Sequence, residues 1–155
     1  MKKLAHLAIV AALSGTACVA FAGEIANTTI DAVGAENLTN SAYAVAWQEL
    51  GVARGSGRIL NSYINAHGAR NHAASRVGLA SQRIGVADNG AMQNVNVWAQ
   101  RVFNQSTASG AFAYQEIGTV ARGGKMSNVT VFAEGANNRA TKDESIARQF
   151  IGTVQ

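Results

Sequence analysis

Side-chain amides, rather than nucleophiles or metal ligands, are the recurring polar chemistry of this chain. Its 155 residues include 13 Asn and 8 Gln, with no proline and a single cysteine, Cys18. Three columns of amides repeat along it: Asn27, Asn61, Asn94 and Asn128; Asn37, Asn71, Asn104 and Asn138; Gln48, Gln82, Gln115 and Gln149. An amide donates through nitrogen and accepts through oxygen, so stacked copies can chain into a ladder. Catalytic groups show no such recurrence. His67 and His72 sit in one unit at variable positions, and no Ser/His/Asp set or carboxylate pair repeats. The residues point away from an enzyme, and to neither a cofactor nor a metal.

What positions the amides is an internal repeat. The segments Gln48–Gly51, Gln82–Gly85, Gln115–Gly118 and Gln149–Gly152 are spaced by 34, 33 and 34 residues. Extended outward, they divide the chain into units 23–56, 57–89, 90–123 and 124–155. Each unit opens on a glycine (Gly23, Gly57, Gly90, Gly124), and each closes its Gln segment on another (Gly51, Gly85, Gly118, Gly152). Two alanine columns, through Ala32 and Ala46, are also invariant. Four further columns stay apolar, including Ile30/Ile64/Val97/Val131 and Leu50/Ile84/Ile117/Ile151.

The period alone also suits ankyrin and tetratricopeptide helices, but their signatures and their proline are missing. Around each glutamine the fixed residues fall at every second position (Ala46, Gln48, Leu50), while the residues between them vary freely. One constant face and one free face at period two is a strand. Ile30 and Ala32 behave alike, with Asp31, Asn65, Trp98 and Phe132 facing out. Ile25 and Asn27 are read as inward, with a corner or bulge before Ile30.

Each unit then reads as strand, corner, strand, a turn at Gly34–Asn37, an external loop from Leu38 to Tyr43, and a strand ending at Gly51. The eight recurring glycines are assigned to turns, because glycine tolerates positive φ. Arg101 replaces the turn glycine of the third unit, so that turn is either not left-handed or strained. The fold class is an all-β, four-rung β-solenoid of the cross-β type.

Stacking puts identical residues ~4.8 Å apart. A ladder satisfies amides in a dry core, where each unpaired one costs ~1–3 kcal/mol. Turn formation explains the Asn37 column as well as a ladder does. It does not explain Gln48 and its copies, because Gln is a poor turn residue. Arg83 is read as outward between Glu49 and Glu116, where a surface ion pair is worth at most ~1 kcal/mol. Trp98 and Phe132 read as an outward aromatic pair.

The N-terminus has the form of an export signal: Lys2 and Lys3, an apolar run from Leu4 to Leu13, then Ala20-Phe21-Ala22. Cleavage is expected between Ala22 and Gly23. A lipoprotein signal ending at Cys18 competes, but Gly15 stands where such a signal has leucine. The apolar run is too short for a membrane anchor, so no membrane insertion follows cleavage. The exported chain keeps 11 basic and 9 acidic residues, too balanced for a nucleic-acid footprint. It starts on the first repeat position and ends near the last, leaving no residues for caps. Uncapped rungs stack head to tail, a contact that does not close and yields a filament.

Gly68-Ala69-Arg70-Asn71-His72-Ala73 and Gly135-Ala136-Asn137-Asn138-Arg139-Ala140 match the Gly, Asn, Ala spacing of the curlin motif. The whole repeat region resembles the curlin and Fap families of bacterial functional amyloids. The curlin rung is shorter and has Gln where Ala66 and Ala133 stand. The Cys pair of the Fap fibre subunit has no counterpart. The resemblance implies a secreted fibre subunit of the biofilm matrix, active in surface adhesion. Its implied partners are further copies of itself, a nucleator or major-subunit homologue, and an outer-membrane secretion pore. Two rivals remain in view. An ice- or ligand-binding solenoid would need a flat threonine array, which Thr28/Thr29, Ser62/Tyr63, Val95/Asn96 and Val129/Thr130 do not form. A soluble, capped adhesin that does not polymerise is the stronger one.

Overall fold

A computed structural model describes residues 18–40, 43–74, 77–107, 109–122 and 124–155. Residues 1–17 of the expected signal, and 41–42 of the expected loop, lie outside the described residues. Twelve strands and no helix occur among the described residues. β1 (Cys18–Ala26) starts ahead of the first unit and runs into it, and that unit also holds β2 (Thr29–Val33), β3 (Glu36–Thr39) and the start of β4 (Tyr43–His67). β4 continues into the second unit, followed by β5 (Arg70–Ala73) and β6 (Val77–Asp88). The third unit is β7 (Ala91–Gln100), β8 (Phe103–Ser106) and β9 (Phe112–Ala121). The fourth is β10 (Lys125–Glu134), β11 (Asn137–Ala140) and β12 (Ile146–Ile151).

Every strand pairing is parallel and, apart from Cys18–Ala22 of β1, joins equivalent residues of successive units, which makes the chain a β-solenoid. One sheet stacks β3, β5, β8 and β11. The other runs β10-β7-β4-β6-β9-β12, with β4 bending through it so that one continuous strand belongs to two rungs. In register, Asn37 lies on Asn71, Asn104 and Asn138, and Gln48 lies on Gln82, Gln115 and Gln149.

The eight-stranded sheet doubles back at β4, so its two halves and the four-stranded sheet wall a narrow apolar core. Ile30, Ile64 and Val97 face Leu50, Ile84 and Ile117, all buried. Each such side chain contributes ~1.5–3 kcal/mol of burial. The same columns open toward solvent in the fourth unit, where Ile151 is 40 % exposed and Val131 is half-buried.

Gly51, Gly85 and Gly118 do not end their strands, whereas β12 does stop at Ile151, just before Gly152. β4, β6 and β9 run on past the first three, and the pairing skips the glycine. All four have φ between 59° and 65°. A Cβ on Gly51 would stand 2.8 Å from Ile64 Cδ1 of the facing wall. This is a bulge that brings the walls together, needing glycine for conformation and for space. The opening glycines differ among themselves. Gly57 lies inside β4 without positive φ, and Gly23 alone of the column has it. A Cβ on Gly90 would collide with the carbonyl oxygen of Gly57, and one on Gly124 with that of Gly90.

The external loop assigned to Leu38–Tyr43 is shorter than the sequence suggested. Glu36–Thr39 already pairs as β3, and Tyr43 already belongs to β4. A four-residue strand with a variable outer face leaves too little alternation to be seen. At the preceding corner, Arg101 takes φ 52° beside Gly34 at 63°, Gly68 at 66° and Gly135 at 61°. That corner is left-handed in all four units, and strained in the third.

Candidate functional site

The glutamine column is the most enclosed polar feature. Gln48, Gln82 and Gln115 are fully buried. Gln82 Nε2 donates to Gln48 Oε1 at 2.6 Å, Gln115 Nε2 to Gln82 Oε1 at 2.6 Å, and Gln149 Nε2 to Gln115 Oε1. Gln48 Nε2 donates to the carbonyls of Ala35 (3.1 Å) and Arg70 (3.3 Å), tying its strand to the opposite wall.

Asn37, Asn71 and Asn104 form a second buried ladder. Here Asn37 Nδ2 donates to Asn71 Oδ1 (2.9 Å), Asn71 to Asn104 (2.8 Å) and Asn104 to Asn138 (2.7 Å). Each Nδ2 also reaches carbonyls across the core, as Asn71 does to Ala46 (3.0 Å) and Ser81 (2.9 Å). Both columns therefore bridge rungs along the axis and walls across it.

The Asn27 column does not line the core. Asn27, Asn61, Asn94 and Asn128 are exposed, with φ of 52°, 46°, 52° and 56°. Asparagine is the non-glycine residue best suited to that left-handed corner. The side chains still connect outside, Asn61 to Asn27 at 3.3 Å, Asn94 to Asn61 at 2.9 Å and Asn128 to Asn94 at 3.0 Å.

The ladders have direction. The Asn27 and Gln48 columns donate toward the first unit, and the Asn37 column donates toward the last. At the first rung, among the described residues, no amide lies beyond Asn27 Nδ2 or Gln48 Nε2 to accept, and none donates to Asn37 Oδ1. At the last rung Asn128 Oδ1 and Gln149 Oε1 accept nothing among the described residues, while Asn138 Nδ2 donates only to the carbonyls of Ala113 and Arg148. The two ends are complementary, donor for acceptor, in all three columns.

The column of Glu49, Arg83 and Glu116 corrects the reading of a loose surface pair. Glu49 and Glu116 are buried. Past the Gly51 bulge Arg54 turns back to Glu49 at 2.6 Å. Arg83 reaches Glu49 at 3.4 Å, Glu116 at 2.7 Å and also Asp88. Burial works to lower the pKa of Arg83, but hydrogen bonds and charge from Asp88 and Glu116 outweigh it and hold it above its ordinary value. Burial, with help from Glu116, likewise pushes the Tyr114 hydroxyl above its usual range. The alternating sign down this column was the readable signal. Trp47, Arg54, Tyr114 and Arg122 wall the cleft above it.

Trp98 and Phe132 stack outside, with ring centroids 4.6 Å apart. His72 Nε2 lies 3.4 Å from Thr107 Oγ1. Among the described residues no three His, Cys, Asp or Glu gather as a metal site. Ala22 and Gly23, the expected cleavage point, lie within β1, whose residues Cys18–Ala22 pair with Glu49–Arg54. No described helix is long and apolar enough to cross a membrane. Comparison with protein-family models, curated proteins and solved structures finds no match to this chain.

Proposed function

We propose that the chain is a secreted structural subunit that assembles head to tail into an extracellular, amyloid-like fibre. One observation carries this reading: the ends of the solenoid are complementary in every amide column, at backbone edges of matching repeat. Stacking the fourth rung of one copy on the first rung of the next sets Gln149 against Gln48, Asn128 against Asn27 and Asn138 against Asn37. It also covers Ile151, Phe132 and the half-buried columns of the fourth unit. The contact is heterologous and does not close, so it propagates. Export through an outer-membrane pore, a nucleator or major-subunit homologue, and a place in the biofilm matrix complete the proposal through the curlin and Fap resemblance.

The test is seeded assembly of residues 23–155. The reading expects thioflavin-positive fibres after a lag, with preformed fragments abolishing the lag. Persistent monomer at high micromolar concentration, seeds included, would refute it. One observation favours the alternative of a non-polymerising surface adhesin. Cys18–Ala22 covers the Glu49–Arg54 edge, and retaining that strand would cap part of the first rung.

A further inference from the structure

Resting on that fibre reading, we infer that the junction between copies is selected by charge: an acidic first rung receives the basic fourth rung of a second copy. Unit 23–56 carries four carboxylates, Glu24, Asp31, Glu36 and Glu49, against one cation, Arg54. Unit 124–155 carries four cations against three carboxylates; its strands hold Lys125, Arg139 and Arg148 against Glu134, and Lys142, Asp143 and Glu144 lie between β11 and β12. None of the three strand cations has an ion-pair partner among the described residues, and the side chains of Lys125, Arg139 and Arg148 are exposed.

The register places them. Glu24, Arg58, Ala91 and Lys125 share one column, and within the chain Glu24 already meets Arg58 at 3.7 Å. One further rung of the same stacking therefore sets Lys125 on Glu24 of the next copy. Leu38, His72, Gln105 and Arg139 share another column, which brings Arg139 onto Leu38, two residues along the same outer face from Glu36. Trp47, Ser81, Tyr114 and Arg148 share a third, setting the guanidinium over an indole beside Glu49. Phe132 and Phe150 land on Asp31 and Glu49. Those carboxylates keep partners inside their own chain, Asp31 from Asn65 at 2.9 Å and Glu49 from Arg54.

Joining two first rungs would instead set four carboxylates against four, and like charges across a strand pair repel. It would also lose the donor-for-acceptor match of the amide columns. The partner is thus a second copy in one orientation, and the fibre is polar.

The experiment uses four proteins spanning residues 23–155: the natural sequence, K125E/R139E, E24K/E36K, and the fourfold variant combining both. On natural seeds at low salt, K125E/R139E should elongate about tenfold more slowly, from two exposed pairs turned repulsive. The fourfold variant should regain its rate on its own seeds yet extend natural seeds poorly. Salt near 1 M, where the screening length is ~3 Å, should erase these differences. If the natural protein elongates and K125E/R139E matches it, or the fourfold variant extends both seeds equally, the charge selection is wrong and the fibre reading survives. If the natural protein never elongates, the fibre reading itself fails.

Discussion

Gln82 donates to Gln48 at 2.6 Å although 34 residues separate them, and both side chains are fully buried. The amide of Gln82 also accepts from Gln115 and reaches the carbonyl of Ala69, so it joins three rungs and two walls. A buried amide held this way stabilises modestly but is costly to strand.

Gln82→Ala should therefore lower the unfolding free energy of the soluble protein by ~2–4 kcal/mol, from two stranded amides and a cavity. Denaturant titration of freshly prepared monomer measures it. A loss below ~0.5 kcal/mol would mean that solvent reaches the column.

Arg83→Ala should cost as much or more, ~3–5 kcal/mol, because it leaves Glu49 and Glu116 buried without their shared cation. Arg54 still holds Glu49, so Glu116 is the more exposed to the loss. Denaturant titration of freshly prepared monomer checks it. A loss below ~1 kcal/mol, the size of an exposed surface pair, would contradict the assignment of buried charge.

Glycines with similar φ should separate into two classes. Gly34 has φ 63° with nothing near its missing Cβ, so Gly34→Ala should cost ~1–2 kcal/mol from backbone strain alone. Gly85 has φ 61°, and a Cβ there would lie 2.8 Å from Val97 Cγ2. Gly85→Ala should cost at least ~1 kcal/mol more through overpacking. Equal losses in thermal or denaturant unfolding would show that the walls relax at no cost.

The rung was legible because 33–34-residue identity and period-two alternation around Gln48 both survive in a single sequence. Three features were not. Asparagine suits a ladder and a left-handed corner equally, so Asn27 could not be told from Asn37 by residue type. Gly51 reads as a strand end, yet it is a bulge, because glycine marks both; only the facing Ile64 distinguishes them. Glu49 and Arg83 look like surface residues of a free face. Glu49 is met by Arg54 and Arg83 by Asp88, each returning five residues later past the glycine bulge of its own strand. The last two misses concern tertiary closure at a bulge, which alternation does not encode.

Mass per unit length of assembled fibres, read by scanning transmission electron microscopy, tests the continuous head-to-tail stack most directly. Four rungs at ~4.8 Å give one subunit per ~19 Å of each protofilament, an integer multiple of that value when protofilaments pair laterally. That is the predicted result. One subunit per ~4.8 Å of a single protofilament, with protofilaments counted in the same images, would mean that each chain lies flat in a single layer, and the four-rung solenoid would not be the unit of the fibre.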